Sequence, residues 1–348
     1  MAEAIFAIPG DLKSPTGGYA YDRRVIELLP HFGVNVQHLM LSSAFPNPAP
    51  KDIKDADRLI AATPKSATLL VDGLAFGAFP ASSLPCSGRR LIAVVHHPLF
   101  LETGLPHARK VELKNSERNA LQRADHIVVT SRTTARILSD ELEADPRKIT
   151  VAEPGTDPAG RATGTGSPLH LLAVGAVSPR KSYDHLVEAL IPLQEIEWRL
   201  TIAGALDRHP QAVETLRRKI DKSKLSDRIT LAGKVVPATL DRYYESADLF
   251  VSASLFEGYG MVIAEAMARG LAIVTTTGGA AADTAHKSAA IHVQPGNITE
   301  MTAALRRALT DKKLRDELAD ASWDLGRTLP TWHETARRIA AVVLGLKP

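Results

Sequence analysis

Cysteine is nearly absent: the chain of 348 residues has one, Cys86. No internal disulfide can form, and nothing points to a structural zinc site. Aromatic residues make up only 5%, so the core must be aliphatic, built from Ala, Leu, Val and Ile. Long apolar runs are missing. LIAVV (91–95) is among the longest, far short of the about 18 residues that cross a membrane. No run of five or six basic residues occurs, and a net charge of +3 with a pI near 8.9 is spread along the chain. A nucleic-acid footprint is therefore not expected. The opening MAEAIFAIPGD carries Glu3 and no basic leader, so no signal peptide is expected. What is present is ordinary for a globular protein, with 45% hydrophobic and 23% charged residues. That composition excludes disorder, collagen and coiled coil. The expectation is a soluble protein of a reducing cytoplasm, of about two domains.

The pattern alternates between strands and helices. Ala4–Ile8 reads as a strand, followed by the Pro/Gly-rich loop 9–18 and a helix over 19–32. VNVQHLML (34–41), ATLLVDG (67–73), RRLIAVVHH (89–97) and DHIVVTS (125–131) read as further strands, with helical patterns between them. Continuous aliphatic strands in such alternation indicate a parallel sheet covered on both faces. PGTDPAGRATGTGSP (154–168) reads as a linker. Alternation then restarts with LHLLAVGAV (169–177) and runs to about residue 326, and PTWHETARRIAAVVLGL (330–346) forms a last helix. Two doubly wound domains predict a ligand at the carboxyl ends of the strands.

The sharpest chemical signal is SLFEGYGMVIAEAMARGLAIV (254–274). Glu257 and Glu265 stand eight apart, with Gly258, Tyr259 and Gly260 between them at a predicted helix N-terminus. Exposed amides and the helix dipole suit an anion there. A carboxylate inside the first turns could accept ribose hydroxyls. The same pattern also reads as plain complementation of a helix end. Arg180-Lys181 at a strand–helix loop suits a diphosphate, as fork donor and point charge, or is a solvated surface pair. Asp55-Ala56-Asp57 lies in a helical pattern, away from a strand end, and so reads as a solvated face. GTGS (164–167) lacks the third glycine of a dinucleotide fingerprint.

The 254–274 segment resembles the E-x7-E signature of the family 4 glycosyltransferases. LLAVGAVSPRKSYDHLVEAL (171–190) and DRITLAGKVVPATLDRYYESADLFVSAS (227–254) resemble the segments that precede it in that family. TGGYAYDRRVIELL (16–29), ADHIVVTSRTTARIL (124–138), PGTD (154–157) and the terminal helix with Trp332 fit as well. The resemblance implies the GT-B fold, two Rossmann-like domains facing across a cleft. The acceptor domain would be 1–155 with the crossing helix 330–348, and the donor domain 165–328. It implies a retaining transfer of a sugar from a nucleoside diphosphate sugar to a glycan, lipid-linked or small-molecule acceptor. No cofactor and no metal is expected, because the one D-x-D triplet lies in a helical pattern and Arg180, Lys181 and the helix N-terminus after Glu257 can neutralise the diphosphate. Peripheral contact with the inner membrane face would be compatible with a lipid acceptor.

By matching positions, Glu257 would lie near the donor sugar's hydroxyls and Glu265 on the ribose. Lys181 would meet the diphosphate with Arg180 beside it, and Gly17 and Gly18 would approach the donor phosphates. His96, at the end of LIAVV, would lie near the sugar. His97 would face the other way, since adjacent strand residues alternate. The pattern departs from the family at Ala176, where arginine is usual, at Ser182, where glycine is usual, and in 276–293, which lacks the usual glycines before the last strand. Two competing readings are a nucleotide-sugar epimerase or hydrolase of the same fold and a non-catalytic binding scaffold.

Overall fold

A computed structural model describes residues 1–80, 83 and 88–346; Cys86 and the last two residues of the terminal helix expected above lie outside the described residues. The chain divides into two compact units, Met1–Gly155 with Pro330–Pro348, and Thr156–Leu329.

In unit 1 the strands are β1 (Ala2–Pro9), β2 (Val34–Leu41), β3 (Thr68–Asp72), β4 (Leu91–Val95), β5 (His126–Val129) and β6 (Ile149–Val151). The helices between them are α1 (Gly17–Leu28), α2 (Pro50–Ala61), α3 (Gly73–Phe76), α4 (His107–Arg123) and α5 (Arg132–Leu142). The sheet is parallel in the order β2-β1-β3-β4-β5-β6. Leu69, Val71, Ala93, Val95, Ile127 and Val129 are buried in its aliphatic core. The strands read as unbroken apolar runs because helices cover both faces.

Unit 2 contains β7 (Leu169–Val174), α6 (Tyr183–Leu190), β8 (Trp198–Ala203), α7 (Pro210–Lys222), β9 (Ile229–Gly233), α8 (Pro237–Ser246) and β10 (Leu249–Ser252). It continues with α9 (Met261–Ala268), β11 (Ala272–Thr276), α10 (Ala281–Thr284), β12 (Ala290–Val293), α11 (Ile298–Thr310) and α12 (Lys312–Gly326). Its strand order, β12-β11-β10-β7-β8-β9, is that of a dinucleotide-binding sheet, with the reversal between β7 and β10. Loops leaving such neighbours diverge and open a crevice at their carboxyl ends. In unit 1 the reversal lies between β1 and β3.

The last helix, α13 (Trp332–Leu344), packs within unit 1 against α1, β1 and β2. Thr331 and Glu334 close a reciprocal cap at its start. The segment expected as a linker is not a loose tether. Ala162 N–H donates to Arg269 O at 2.8 Å and Thr163 N–H to Glu245 O at 2.9 Å. The Asp248 carboxylate accepts from the amides of Gly166 at 3.0 Å and His170 at 2.7 Å. Among the described residues no helix is long and apolar enough to cross a membrane.

Candidate functional site

In unit 2 the reversal of strand order brings the loops after β7 and β10 together. Leu255 N–H donates to Arg180 O at 2.8 Å, and the Arg180 guanidinium donates to Phe256 O at 2.8 Å. The side chains then converge. Lys181 Nζ lies 2.6 Å from Glu257 Oε1, and Arg180 Nη1 lies 3.2 Å from Glu257 Oε2. Glu257 is 7% exposed. Burial pushes its carboxyl up, but the Lys181 ammonium and the Arg180 guanidinium outweigh that and hold it at about 2. Sequence reasoning placed Lys181 and Glu257 on different parts of a ligand; here they form one ion pair.

The backbone of Glu257 is held as firmly as its side chain. Its N–H donates to Gly278 O at 3.1 Å, and its carbonyl accepts from Ala280 N–H at 2.8 Å. Gly279 has φ +65, and a Cβ there would stand 2.2 Å from Glu257 O. Gly260, in the left-handed region at φ 98, precedes the first turn of α9, so the Gly258-Tyr259-Gly260 turn leads straight into a helix N-terminus. Ser182, where the family has glycine, adopts φ 52, a left-handed conformation that costs a serine about 1–2 kcal/mol.

Glu265 lies one turn into α9, and its Oε2 accepts from Tyr244 Oη at 2.8 Å. Burial raises its pKa, opposed by that hydrogen bond and by Arg269. Tyr244, on α8, had no sequence signal beyond an apolar helix position.

In unit 1, α1 begins two residues earlier than its apolar pattern suggests. Thr16 caps it by accepting from Tyr19 N–H at 3.2 Å, so Gly17 and Gly18 form its first turn. Gly18 sits against His96, and a Cβ there would approach His96 Cδ2 to 3.3 Å. His96 Nε2 is 2.9 Å from Asp22 Oδ1 and 3.4 Å from Asp72 Oδ2. Asp22 and Asp72 are buried. His97 turns away, its Nε2 3.7 Å from Glu102. Tyr21 stands edge-on to His96 at 5.0 Å and to Trp332 at 5.9 Å. The loop that follows His97 is held by the buried Glu117 carboxylate, which accepts from Leu99 N–H at 2.7 Å and Phe100 N–H at 3.0 Å.

Asp22 and Asp72 were missed from the sequence. Asp72 ends a buried strand, which was a usable signal; Asp22 is hidden in the helical pattern of α1. Asp22, Asp72 and His96 are the group of the described residues whose ligand-type atoms lie close enough to hold an ion. Asp55 and Asp57 lie within α2, as expected, and Asp55 pairs with Arg58.

Residues 17–159 match the family model Glycosyltransferase Family 4, and residues 168–311 match Glycosyl transferases group 1. Mannosylfructose-phosphate synthase of Agrobacterium fabrum is 28% identical over 182 residues, 50% of this chain and 40% of that protein. D-inositol 3-phosphate glycosyltransferase of Kineococcus radiotolerans is 32% identical over 185 residues, covering 47% of this chain and 42% of its own length. The chain thus spans about half the length of the curated relatives it matches or somewhat less. Among solved structures, sucrose-phosphate synthase of Thermosynechococcus elongatus superposes with a TM-score of 0.82 at 18% identity, over 98% of each chain. Anabaena HepE, in complex with UDP-glucose, superposes with a TM-score of 0.78 at 16% identity, over 98% of this chain and 99% of that one. These structures share the GT-B fold of two Rossmann-like domains. With one family model on each unit and that fold over nearly the whole length, the chain belongs to the family 4 glycosyltransferases.

Proposed function

We propose that this protein transfers a sugar from a nucleoside diphosphate sugar to an acceptor hydroxyl, with retention of configuration and without a metal ion. The observation that carries the reading is the convergence of Lys181 and Arg180 on Glu257, beside the N-terminus of α9. Two cations and a row of helix amides suit a diphosphate leaving group, whose charge grows in the transition state. Gly258, Tyr259 and Gly260 would let the backbone approach the phosphates. Glu265 would hold the ribose, and Glu257 would face the transferred sugar. Gly17, Gly18 and His96 would meet the donor's phosphates and sugar. The complex of HepE with UDP-glucose supports a donor of this class.

Two relatives are named for phosphorylated polyols or sugars, so a small phosphorylated polyol is the first acceptor class to test. Lipid-linked acceptors presented on vesicles are the second. The direct experiment is a thermal-shift panel of UDP-, GDP- and ADP-sugars, since preferential binding raises stability as RT ln(1 + [L]/Kd), followed by transfer assays with the donor that binds. Conversion or hydrolysis of that donor with no acceptor present would instead indicate an epimerase or hydrolase.

Two expected outcomes belong to this reading. Sugar transfer should persist in excess EDTA after dialysis, because fixed protein cations replace the metal. Activity that vanishes and returns with magnesium or manganese would refute that. Glu265→Gln should mainly weaken nucleotide affinity, while Glu257→Gln should mainly lower kcat, because contacts made only in the transition state appear there. Full activity in both variants would reduce the signature to a helix-end feature.

A further inference from the structure

His96 faces two carboxylates through one nitrogen. Nε2 is within 2.9 Å of Asp22 Oδ1 and 3.4 Å of Asp72 Oδ2. Asp22 is 0% exposed and Asp72 is 1% exposed. Asp22 Oδ2 is buried with no hydrogen-bond partner, while Asp72 Oδ1 accepts from Leu74 N–H at 2.8 Å. Two buried carboxylates on one imidazole favour a positive imidazole, because buried charge without a counter-charge costs several kcal/mol or shifts its protonation. His96 Nδ1 makes no hydrogen bond within the described residues, and the side chain keeps 17% exposure.

We propose that Asp22 is a positioning residue for His96: with Asp72 it locks the imidazole as a cation whose Nδ1–H points outward as a permanent hydrogen-bond donor. His96 would then bind an oxygen of the donor, a sugar hydroxyl or a phosphate oxygen, and could not serve as a general base. This rests on the functional reading above, in which His96 meets the donor.

The surroundings are consistent with a locked cation. From α1 come Asp22, the Tyr21 ring edge and Arg23, whose guanidinium is spent on the carbonyls of Leu12 and Ser14. Asp72 comes from β3, and from the loop after β5 Thr130 Oγ1 donates to the His96 carbonyl at 3.3 Å. The adjacent His97 faces Glu102. Burial works against charge on His96, but the two carboxylates outweigh it and raise its pKa. Burial likewise pushes Asp22 up, opposed by the imidazolium. A histidine raised in this way lends its full stability below about pH 6.5 and loses it only as pH rises through the elevated native value.

The test is a histidine-selective NMR titration of the full chain, with the His96 signal assigned by its loss in His96→Gln. In wild type, His96 should remain cationic through pH 8. In Asp22→Asn, its midpoint should fall by about 1–3 pH units. With that change, donor KM should rise as pH passes through the new midpoint, because the hydrogen bond to the donor is lost with the proton, and Asp22→Glu should restore part of the wild-type profile. A wild-type His96 that titrates near pH 6.5 would overturn the proposal, as would a stoichiometric metal ion in the purified protein that Asp22→Asn abolishes. If Asp22→Asn does not fold, the wild-type titration decides alone. A cationic His96 in a protein that binds no nucleotide sugar would instead refute the functional reading and leave the lock standing.

Discussion

Lys181→Ala is expected to weaken nucleoside diphosphate binding by about ten- to a hundredfold and to leave nucleoside binding nearly unchanged. A charge-assisted hydrogen bond to phosphate contributes about 1.5–3 kcal/mol, and each 1.4 kcal/mol is about a factor of ten. The ion pair with Glu257 pushes the effect toward the upper end. The ammonium is already desolvated and aimed, 2.6 Å from Glu257 Oε1 with 11% of its side chain exposed. Its removal takes the nearest positive charge from the site and leaves Glu257 with Arg180 as its remaining counter-charge, so the carboxylate would also repel the incoming phosphates. Breaking one side of a buried pair costs about 3–5 kcal/mol; with Arg180 still present the lower end applies. For a unit of this size that corresponds to a fall in Tm of about 6–12 °C. Calorimetric titration with nucleoside and nucleoside diphosphate, beside a melting curve, separates the two effects. Unchanged diphosphate affinity would remove Lys181 from the site.

Gly279→Ala should be at least as damaging without touching any charged group. The residue needs φ +65, and an added Cβ would stand 2.2 Å from Glu257 O and 3.0 Å from Glu257 N. That carbonyl accepts from Ala280 N–H at 2.8 Å. Alanine therefore has to push away the strand-like contact that fixes Glu257, in a backbone region that disfavours it. A strained position combined with a steric clash belongs to the large class of single-residue effects, about 2–4 kcal/mol, or a fall in Tm of about 5–15 °C. Nucleotide affinity should drop at least as far as in Lys181→Ala, because the shift moves Glu257 and the turn before α9 together. A melting temperature within about 1 °C of wild type would show that the loop yields freely.

The fold was largely legible because buried parallel strands announce themselves as short aliphatic runs. LIAVV and LHLLAV need no long-range information to be read as strands. β6, three residues long, is too short to leave such a trace. The anchoring of 162–166 depends on Asp248 and on two carbonyls from α8 and the end of α9, which no local pattern relates to that segment. The same limit governs the site. Glu257, Lys181 and Arg180 each stood out by residue type and position, yet their meeting depends on β10 lying beside β7, a property of strand order. Asp22 reads locally as one more polar position of an amphipathic helix, and only the turn of α1 over the end of β4 sets it against His96. Ser182 shows the reverse case: the missing glycine was visible, and the structure keeps the left-handed bend nonetheless.

Unit 1 consists of chain made before unit 2 and chain made after it. At about 5–20 residues per second of synthesis, residues 156–329 occupy the ribosome for roughly 10–35 s before Trp332 appears. Throughout that delay β1, β2 and α1 wait without the helix that covers them, and Tyr21 lacks the Trp332 ring. Unit 2 meets no such delay, since all of its strands are contiguous in the chain. The order of maturation is thus inverted relative to the order of translation: the half begun first is finished last. The interval leaves an apolar face of the early half, and not of the late one, uncovered on the nascent chain.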